Sequence, residues 1–206
     1  MDWFENGWGL SLIVFLPLVG AALVLLLPRK QERVAKVTAL FFAFASFAAA
    51  VYAAVTFDLD SSASFQFGTD QSWIAAIGSR FHIGIDGISL PLLVLSTLIT
   101  LLCIVYSWNH WPEPHNPKGF LVLMLVLATG MNGTFVALDL VLFFIFFELV
   151  LLPMYFMIGI WGDRTKIRLP GFKREVETRL YASIKFFLFT LFGSAFMLLG
   201  FLALYF

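Results

Sequence analysis

The stretch from Asp139 to Trp161 reads DLVLFFIFFELVLLPMYFMIGIW. At about 1.5 Å per residue, a helix of this length crosses the hydrocarbon core of a bilayer. One carboxylate, Glu148, lies near its middle between Phe147 and Leu149, where insertion costs at least about 2.5 kcal/mol. An ionisable group at that depth is a candidate functional site. The plainer interpretation is a protonated Glu148 that joins two helices.

The same span contains a proline beside the acid. Pro153 has no backbone N–H, and its ring clashes with the carbonyl of Leu149, the residue next to Glu148. In a bilayer, such a break persists only where protein or a water-filled cavity satisfies the freed acceptor. Pro153 is therefore predicted to break the helix next to the buried acid.

The composition excludes a water-soluble domain. The chain has 206 residues, of which 61% are hydrophobic and 13% charged, and its mean hydropathy is +0.93. Apolar runs of about 20 residues match the length of a membrane helix. We therefore predict an all-α polytopic membrane protein in a lipid bilayer, with about six transmembrane helices and a short outer β-hairpin in a single membrane domain. The predicted spans are residues 10–27, 34–57, 88–108, 119–137, 139–161 and 181–206.

The charges of the connections predict the orientation. Basic residues are concentrated on one side, in the connections at 28–36, 109–118 and 162–180, whereas Arg80 is the one basic residue of the opposite connections. The positive-inside rule places the basic loop 162–180 in the cytoplasm and the N-terminus outside. The acidic start MDWFENGWGL argues against a cleavable signal, and no lipidation motif is expected. The net charge of zero and the absence of a basic stripe make nucleic acid an unexpected partner.

The outer connection 58–87 alternates apolar and polar residues in two places, around Phe65–Phe67 and Phe81–Ile85. This alternation predicts two short paired strands, and the stretch Gly68–Asp70 predicts a turn. Asp86 is predicted to cap the third span by accepting backbone N–H bonds, which we favour over a role in proton entry.

The fourth and fifth spans are predicted to form an antiparallel hairpin through a turn at Gly130–Thr134. Asp139 precedes Glu148 by nine positions, which places it on the opposite face near the outer end of the helix. We favour a terminal residue over a relay member for Asp139. Lys185 lies one turn inside the cytoplasmic end of the sixth span. It can reach the interface by snorkelling, or it can approach Glu148 and favour the charged form of that acid.

The sequence offers no site for a cofactor or a metal ion. His110 and His115 are separated by two prolines and are interpreted as solvated loop residues. Cys103 is the single cysteine, and no glycine-rich phosphate loop or nucleotide fingerprint is present. We therefore expect no cofactor, no metal site and no catalytic centre in this chain.

Three segments resemble one known family. The segment FFELVLLPMYFMIGIWG (Phe146–Gly162) resembles the fifth transmembrane helix of the M subunit (chain 4) of respiratory NADH–quinone oxidoreductase, complex I. The segment FHIGIDGISLPLL (Phe81–Leu93), with Trp73 upstream, resembles the region before the third helix of that subunit. The segment ASIKFFLFTLFGS (Ala182–Ser194) resembles its sixth helix. The resemblance covers nearly the whole chain in order.

The resemblance implies a membrane subunit that takes part in proton translocation coupled to quinone reduction and holds no redox centre. The implied partners are antiporter-like complex I subunits on both sides, and the implied location is the bacterial plasma membrane. Glu148 matches the family glutamate that controls the charge of a lysine on a later, broken helix. Lys185 matches a lysine of the sixth helix, and Asp139 an acid at the start of the fifth. Family members have more helices than this chain, so the later helices lie outside these residues. A truncated reading frame, a split subunit and a partial representation of a longer protein all stay open as explanations.

Two alternatives stay open at the level of sequence. The chain resembles the corresponding part of a multisubunit sodium/proton antiporter, which differs in partner and energy source rather than in local residues. A scaffold fragment without transport activity is the third hypothesis. It predicts that Glu148 can be replaced without functional loss when the fold survives.

Overall fold

The computed structural model describes residues 8–28, 30–60, 64–111, 113–168 and 175–205. Within these ranges, six helices are long and apolar enough to cross a membrane, so the predicted polytopic all-α class is confirmed. The helices are α1 (Gly9–Leu26), α2 (Glu32–Thr56), α3 (Ser89–Tyr106), α4 (Pro117–Val136), α5 (Leu140–Trp161) and α6 (Thr178–Tyr205). The predictions for residues 1–7, Arg29, Lys173 and Arg174 lie outside the described residues.

Each helix begins and ends within three residues of the span predicted for it. Local sequence signals explain where α3 and α4 begin. Asn116 caps α4 by accepting a hydrogen bond from the Gly119 N–H, and Pro117 takes the first helical position, where no N–H is needed. Asp86 accepts hydrogen bonds from the N–H groups of Ile88 and Ser89, at 3.0 and 2.7 Å, at the start of α3. The predicted capping role of Asp86 is confirmed.

Helices α1 to α4 form a bundle with two apolar clusters. One cluster includes Leu10, Ile13 and Leu93, together with residues of the outer connection, and the other includes Val24 and Leu125. Alanines make much of the buried face of α2, and those that are buried are Ala35, Ala39, Ala43, Ala50 and Ala53. Small side chains let helices approach closely, which is how packing gains strength in lipid.

The outer connection folds into the predicted hairpin. Strand β1 (Gln66–Ile74) pairs antiparallel with β2 (Ser79–Ile85), and Gly78 closes the turn with a φ of 66°, a value that favours glycine. The other edge of β2 contacts the α4–α5 connection, where the Leu138 N–H donates to the His82 carbonyl at 2.9 Å. The hairpin is therefore anchored on the helices.

The predicted turn at Gly68–Asp70 is wrong, because these residues lie inside β1. The pairing shifts register between Gln66 and Thr69, and Phe67 has a φ of 55°. A β-bulge, which adds one residue to one strand, explains why a turn-like sequence occurs there. The actual turn follows a short 3₁₀ helix at Ala75–Ile77.

The predicted turn at Gly130–Thr134 is also wrong, since α4 continues to Val136 and only residues 137–139 connect it to α5. The glycines serve packing instead. A Cβ added to Gly130 would lie 2.7 Å from Val150 Cγ2, and one added to Gly133 would overlap the ring of Phe146. These contacts show that α4 and α5 are antiparallel neighbours, as predicted.

The segment 162–180, predicted as a basic loop, contains short strands. Strand β3 (Lys166–Arg168) pairs antiparallel with β4 (Glu175–Glu177), which places Lys166 opposite Glu177 and Arg168 opposite Glu175. Opposite charges on facing positions stabilise such a pair. The alternation of basic and acidic residues with Ile167 and Val176 was the available signal for these strands.

Candidate functional site

Glu148 lies on α5, and its side chain is partly buried. One carboxyl oxygen, Oε1, is buried and has no hydrogen-bond partner among the described residues. A buried acceptor without a donor costs about 1–3 kcal/mol, and more when it is charged. This carboxyl is therefore suited to bind a proton or to meet a cation.

The face of α4 that supports this part of α5 is made of glycines. Gly133 contacts Phe146, and Gly130 contacts both the Phe146 carbonyl and Val150. Phe146 and Val150 flank Glu148 in sequence, so the position of α4 determines where the acid lies. Sequence reasoning assigned both glycines to a turn. Small residues within a long apolar run were the signal that indicated close helix packing instead.

Pro153 is buried within α5, which continues through it to Trp161. The predicted break is therefore a missing hydrogen bond within a continuous helix. Since Pro153 has no N–H, the Leu149 carbonyl loses its usual helical donor. No side chain of the described residues donates to that carbonyl. The Leu149 carbonyl, which lacks its usual helical donor, and the unpartnered Glu148 Oε1 thus belong to adjacent residues.

Lys185 does not contact Glu148. Its side chain is exposed, with Nζ 3.5 Å from the Tyr181 hydroxyl and 5.4 Å from the centroid of the Tyr181 ring. Facing pairs along α5 and α6 are Phe143 with Phe201, Tyr155 with Phe187, and Gly159 with Ser183. These pairs place Lys185 level with Met157, nine residues from Glu148, which is roughly 13 Å along the helix at 1.5 Å per residue.

Asp139 is the N-cap of α5. Its Oδ1 accepts hydrogen bonds from the N–H groups of Val141 and Leu142, both at 2.9 Å, and from the Ser79 hydroxyl at 3.0 Å. Its Oδ2 accepts from the Arg80 N–H at 3.1 Å. Burial raises the pKa of Asp139, but these hydrogen bonds together outweigh burial and hold the pKa below its ordinary value.

The arrangement favours the terminal interpretation of Asp139, because the side chain is engaged in capping and in holding the hairpin. Its contact with Ser79 and Arg80 was not foreseen, since nothing in the sequence indicates that β2 reaches the start of α5. Among the described residues, no group of three His, Cys, Asp or Glu side chains is placed to hold a metal ion. The three titratable candidates, Glu148, Lys185 and Asp139, do not form one cluster, since Asp139 caps the start of α5 and the Lys185 ammonium lies against Tyr181.

Comparison with known proteins matches two family models to consecutive parts of the chain. Residues 63–134 match the family described as NADH-ubiquinone oxidoreductase chain 4, amino terminus. Residues 137–206 match the family described as NADH:quinone oxidoreductase/Mrp antiporter, TM. The two matches meet at the α4–α5 connection and together include the hairpin, Glu148 and Lys185.

Similar proteins are subunits M or chains 4 of NADH- or NAD(P)H-quinone oxidoreductases. The chain is 34% identical over 199 residues to NADH-quinone oxidoreductase subunit M of Rickettsia prowazekii, which covers 95% of this chain and 37% of that protein. It is 38% identical over 197 residues to NAD(P)H-quinone oxidoreductase chain 4 of Gloeobacter violaceus, covering 96% of this chain and 34% of that protein. The chain thus spans a little over one third of the length of these relatives.

The fold is similar to that of a chain in respiratory complex I from Thermus thermophilus with bound NADH. The TM-score is 0.73 at 27% sequence identity, and the match covers 94% of this chain and 35% of that chain. The similarity therefore extends over almost all of this chain and supports its polytopic helical fold.

Proposed function

Because this chain belongs to the chain 4 (subunit M) family of NADH–quinone oxidoreductases and corresponds to its amino-terminal part, we propose that it takes part in proton translocation coupled to quinone reduction. It is a multi-pass membrane protein and contributes to the oxidoreductase as a subunit of the complex. The role that we propose for this chain within the complex is proton translocation in the membrane.

The observation that carries this proposal is the state of Glu148. Glu148 is a carboxyl in the middle of a transmembrane helix, with one oxygen buried and unpartnered among the described residues. Binding a proton, or the approach of a positive charge, would lower the free energy of such a group. A structural glutamate would instead be expected to engage both oxygens with donors on neighbouring helices. Pro153 adds to the argument because it leaves the adjacent Leu149 carbonyl without its helical donor.

Lys185 and Asp139 have supporting roles in this proposal. Lys185 lies about 13 Å from Glu148 along the helix direction, so it acts on the acid through the field or through a change of position rather than by contact. Asp139 holds the outer end of α5 in place through its four hydrogen bonds. A partner cation for Glu148 would come from another helix of the assembled protein.

We place the chain between antiporter-like membrane subunits in a bacterial plasma membrane, with the N-terminus outside. The asymmetry of basic residues supports this orientation, because the connections on the α2 to α3 side contain Arg80 alone whereas the opposite connections contain most of the Lys and Arg. The exposed apolar faces of α6, including Phe189 and Phe192, are suited to lipid or to neighbouring helices.

Replacement of Glu148 by Gln tests the proposal. Gln keeps the shape and offers similar hydrogen bonds, but it cannot change charge. We expect Glu148→Gln to abolish or strongly reduce the number of protons moved per electron while the chain still inserts, and Glu148→Asp to retain part of it. Glu113→Gln is the matched control, because Glu113 lies in an exposed connection with 87% of its side chain accessible.

The measurement is the proton-to-electron ratio in membrane vesicles that contain the assembled complex with each variant. A wild-type ratio in Glu148→Gln, at normal assembly, contradicts the proposed role and favours the scaffold hypothesis. A lower proton-to-electron ratio in both Glu148→Gln and Glu113→Gln would indicate a general assembly defect. The amount of assembled complex in the membranes measures such a defect directly.

A further inference from the structure

Helix α1 contains a second proline inside a membrane span. Pro17 is buried and has no N–H, so the carbonyl of Ile13, four residues earlier, loses its helical donor. Ile13 is fully buried. A free backbone acceptor at this depth costs several kcal/mol unless another group of the protein satisfies it.

Donors from two other helices satisfy the Ile13 carbonyl. Ser46 of α2 donates its hydroxyl to this oxygen at 2.7 Å, and Asn132 of α4 places Nδ2 3.5 Å from the same oxygen. The hydroxyl of Ser96 on α3 donates to Asn132 Oδ1 at 2.8 Å. Ser46, Asn132 and Ser96 are all buried, so four helices meet in one hydrogen-bonded group, which we call the Ile13 cluster.

The direction of these bonds distinguishes the Ile13 cluster from ordinary buried hydroxyls. A Ser or Thr inside a helix commonly donates to a carbonyl of its own preceding turn. Thr97, Thr100 and Thr129 are buried and do so here, with Thr129 donating to Leu125 on the same helix. Ser46 and Ser96 instead donate across helices. Ser46 donates to the Ile13 carbonyl, which Pro17 leaves without its helical donor. Ser96 donates to Asn132, whose Nδ2 lies near the same carbonyl.

We propose that the Ile13 cluster fixes the register of α1 to α4 and that Ser46 and Asn132 thereby position the face of α4 on which the Glu148 segment of α5 rests. Asn132 is adjacent to Gly133, and Gly133 packs on Phe146, two residues before Glu148. The amide of Asn132 faces α1 and α3 while Gly133 faces α5, so the cluster sets the rotation of α4 about its axis. Its effect on Glu148 rests on the function proposed above; its effect on the bundle does not.

The first test asks whether Ser46 serves the carbonyl that Pro17 frees. Pro17→Ala supplies a backbone N–H to Ile13, so it makes the Ser46 hydroxyl dispensable. We expect Ser46→Ala alone to lower the thermal unfolding temperature of the chain by about 2–4 °C. We expect Ser46→Ala to have a clearly smaller effect when it is made in the Pro17→Ala background. Equal effects in both backgrounds would show that Ser46 does not serve this carbonyl and would overturn the cluster.

The second test asks whether the cluster positions Glu148. Carbodiimides react with protonated carboxyls in membranes, and mass spectrometry measures the rate at Glu148. We expect Asn132→Leu to accelerate the reaction about threefold, the factor that corresponds to a membrane hydrogen bond of about 0.6 kcal/mol. Thr129→Val is the control, because Thr129 is equally buried on α4 but bonds only within its helix.

Equal rates in Asn132→Leu and Thr129→Val, including no reaction in either, overturn the positioning role. Neither test measures proton pumping. A wild-type proton-to-electron ratio in Glu148→Gln would therefore contradict the proposed function and leave the Ile13 cluster intact. Additive effects of Pro17→Ala and Ser46→Ala would contradict the cluster and leave the proposed function intact.

Discussion

Asp139 connects the outer hairpin to the helix that carries Glu148, and removing its carboxylate is expected to loosen both. Asp139→Asn keeps an oxygen for the cap but loses the negative charge at the helix N-terminus, which is worth about 0.3–1 kcal/mol. It also places an amide NH2, which is a donor, where the Arg80 N–H now donates to a carboxylate oxygen. Asp139→Ala removes all four hydrogen bonds. Loss of an N-cap alone costs about 0.5–2 kcal/mol, and the freed Ser79 and Arg80 donors add to that. We therefore expect losses of about 1 kcal/mol for Asn and about 2–3 kcal/mol for Ala.

The effect of Asp139→Asn should depend on pH in a defined direction. The pKa of Asp139 is lowered in the folded protein from its ordinary value of 3.8. Its contribution to stability is therefore fully present above pH 3.8 and is lost as the pH falls through the folded pKa. The difference in unfolding temperature between wild type and Asp139→Asn should be constant from pH 7 to about pH 5 and should shrink below pH 3.8.

Thermal unfolding of the full chain at several pH values measures the stability, and amide hydrogen exchange shows where the structure opens. Asp139→Ala should accelerate exchange in β2, at Arg80 and its neighbours, more than in α3. Asp70→Asn is the control, because Asp70 pairs with Arg80 on the exposed side of the hairpin and should leave α5 unchanged. Unchanged exchange in β2, together with unchanged unfolding temperature, would refute the view that Asp139 joins the hairpin to α5.

Three further predictions follow from the packing, the charges and the orientation. Gly133→Ala should destabilise the chain by about 1–3 kcal/mol in thermal unfolding, because the added Cβ would overlap the Phe146 ring. Gly193→Ala is the control and should be neutral or slightly stabilising, since the added Cβ would meet nothing within 4 Å. Lys185→Met should lower the proton-to-electron ratio less than Glu148→Gln does; an equal or larger loss would show that Lys185 is the main partner of the acid. In a Cys103→Ala background, an impermeant maleimide applied to right-side-out vesicles should label Ser72→Cys and spare Asn109→Cys, and the reverse pattern would reverse the topology.

The membrane class and the helices could be predicted because each depends on local composition. An apolar run of about 20 residues is sufficient to predict a transmembrane helix, and alternation within 58–87 is sufficient to predict a hairpin. At two places glycines do not form the turns that the sequence predicts. Gly68 lies at a bulge and Gly130 at a helix contact, and in both places the same residue type that favours turns serves another purpose.

The relation between the candidate residues could not be predicted, since it depends on how helices face each other. The sequence indicates that Lys185 and Glu148 lie on consecutive helices, but the ring pairs between α5 and α6 place the two residues at different depths. The contact of Asp139 with Ser79 joins residues 60 positions apart, and no local pattern announces it.

Pro17 inside α1 and Pro153 inside α5 show how one residue type produces different local environments. Pro17 frees the Ile13 carbonyl, and Ser46 and Asn132 supply donors to it from neighbouring helices, so the exposed acceptor becomes a point of attachment for the bundle. Pro153 frees the Leu149 carbonyl, and no side chain of the described residues donates to it. A carbonyl bonded to neighbouring helices adds rigidity, because moving its helix would cost a buried hydrogen bond. The Leu149 carbonyl, beside Glu148, has no such tie to another helix among the described residues. The difference between the two sites therefore follows from the donors around each proline, and the proline without a side-chain donor lies near Glu148, where a change of charge is proposed to occur.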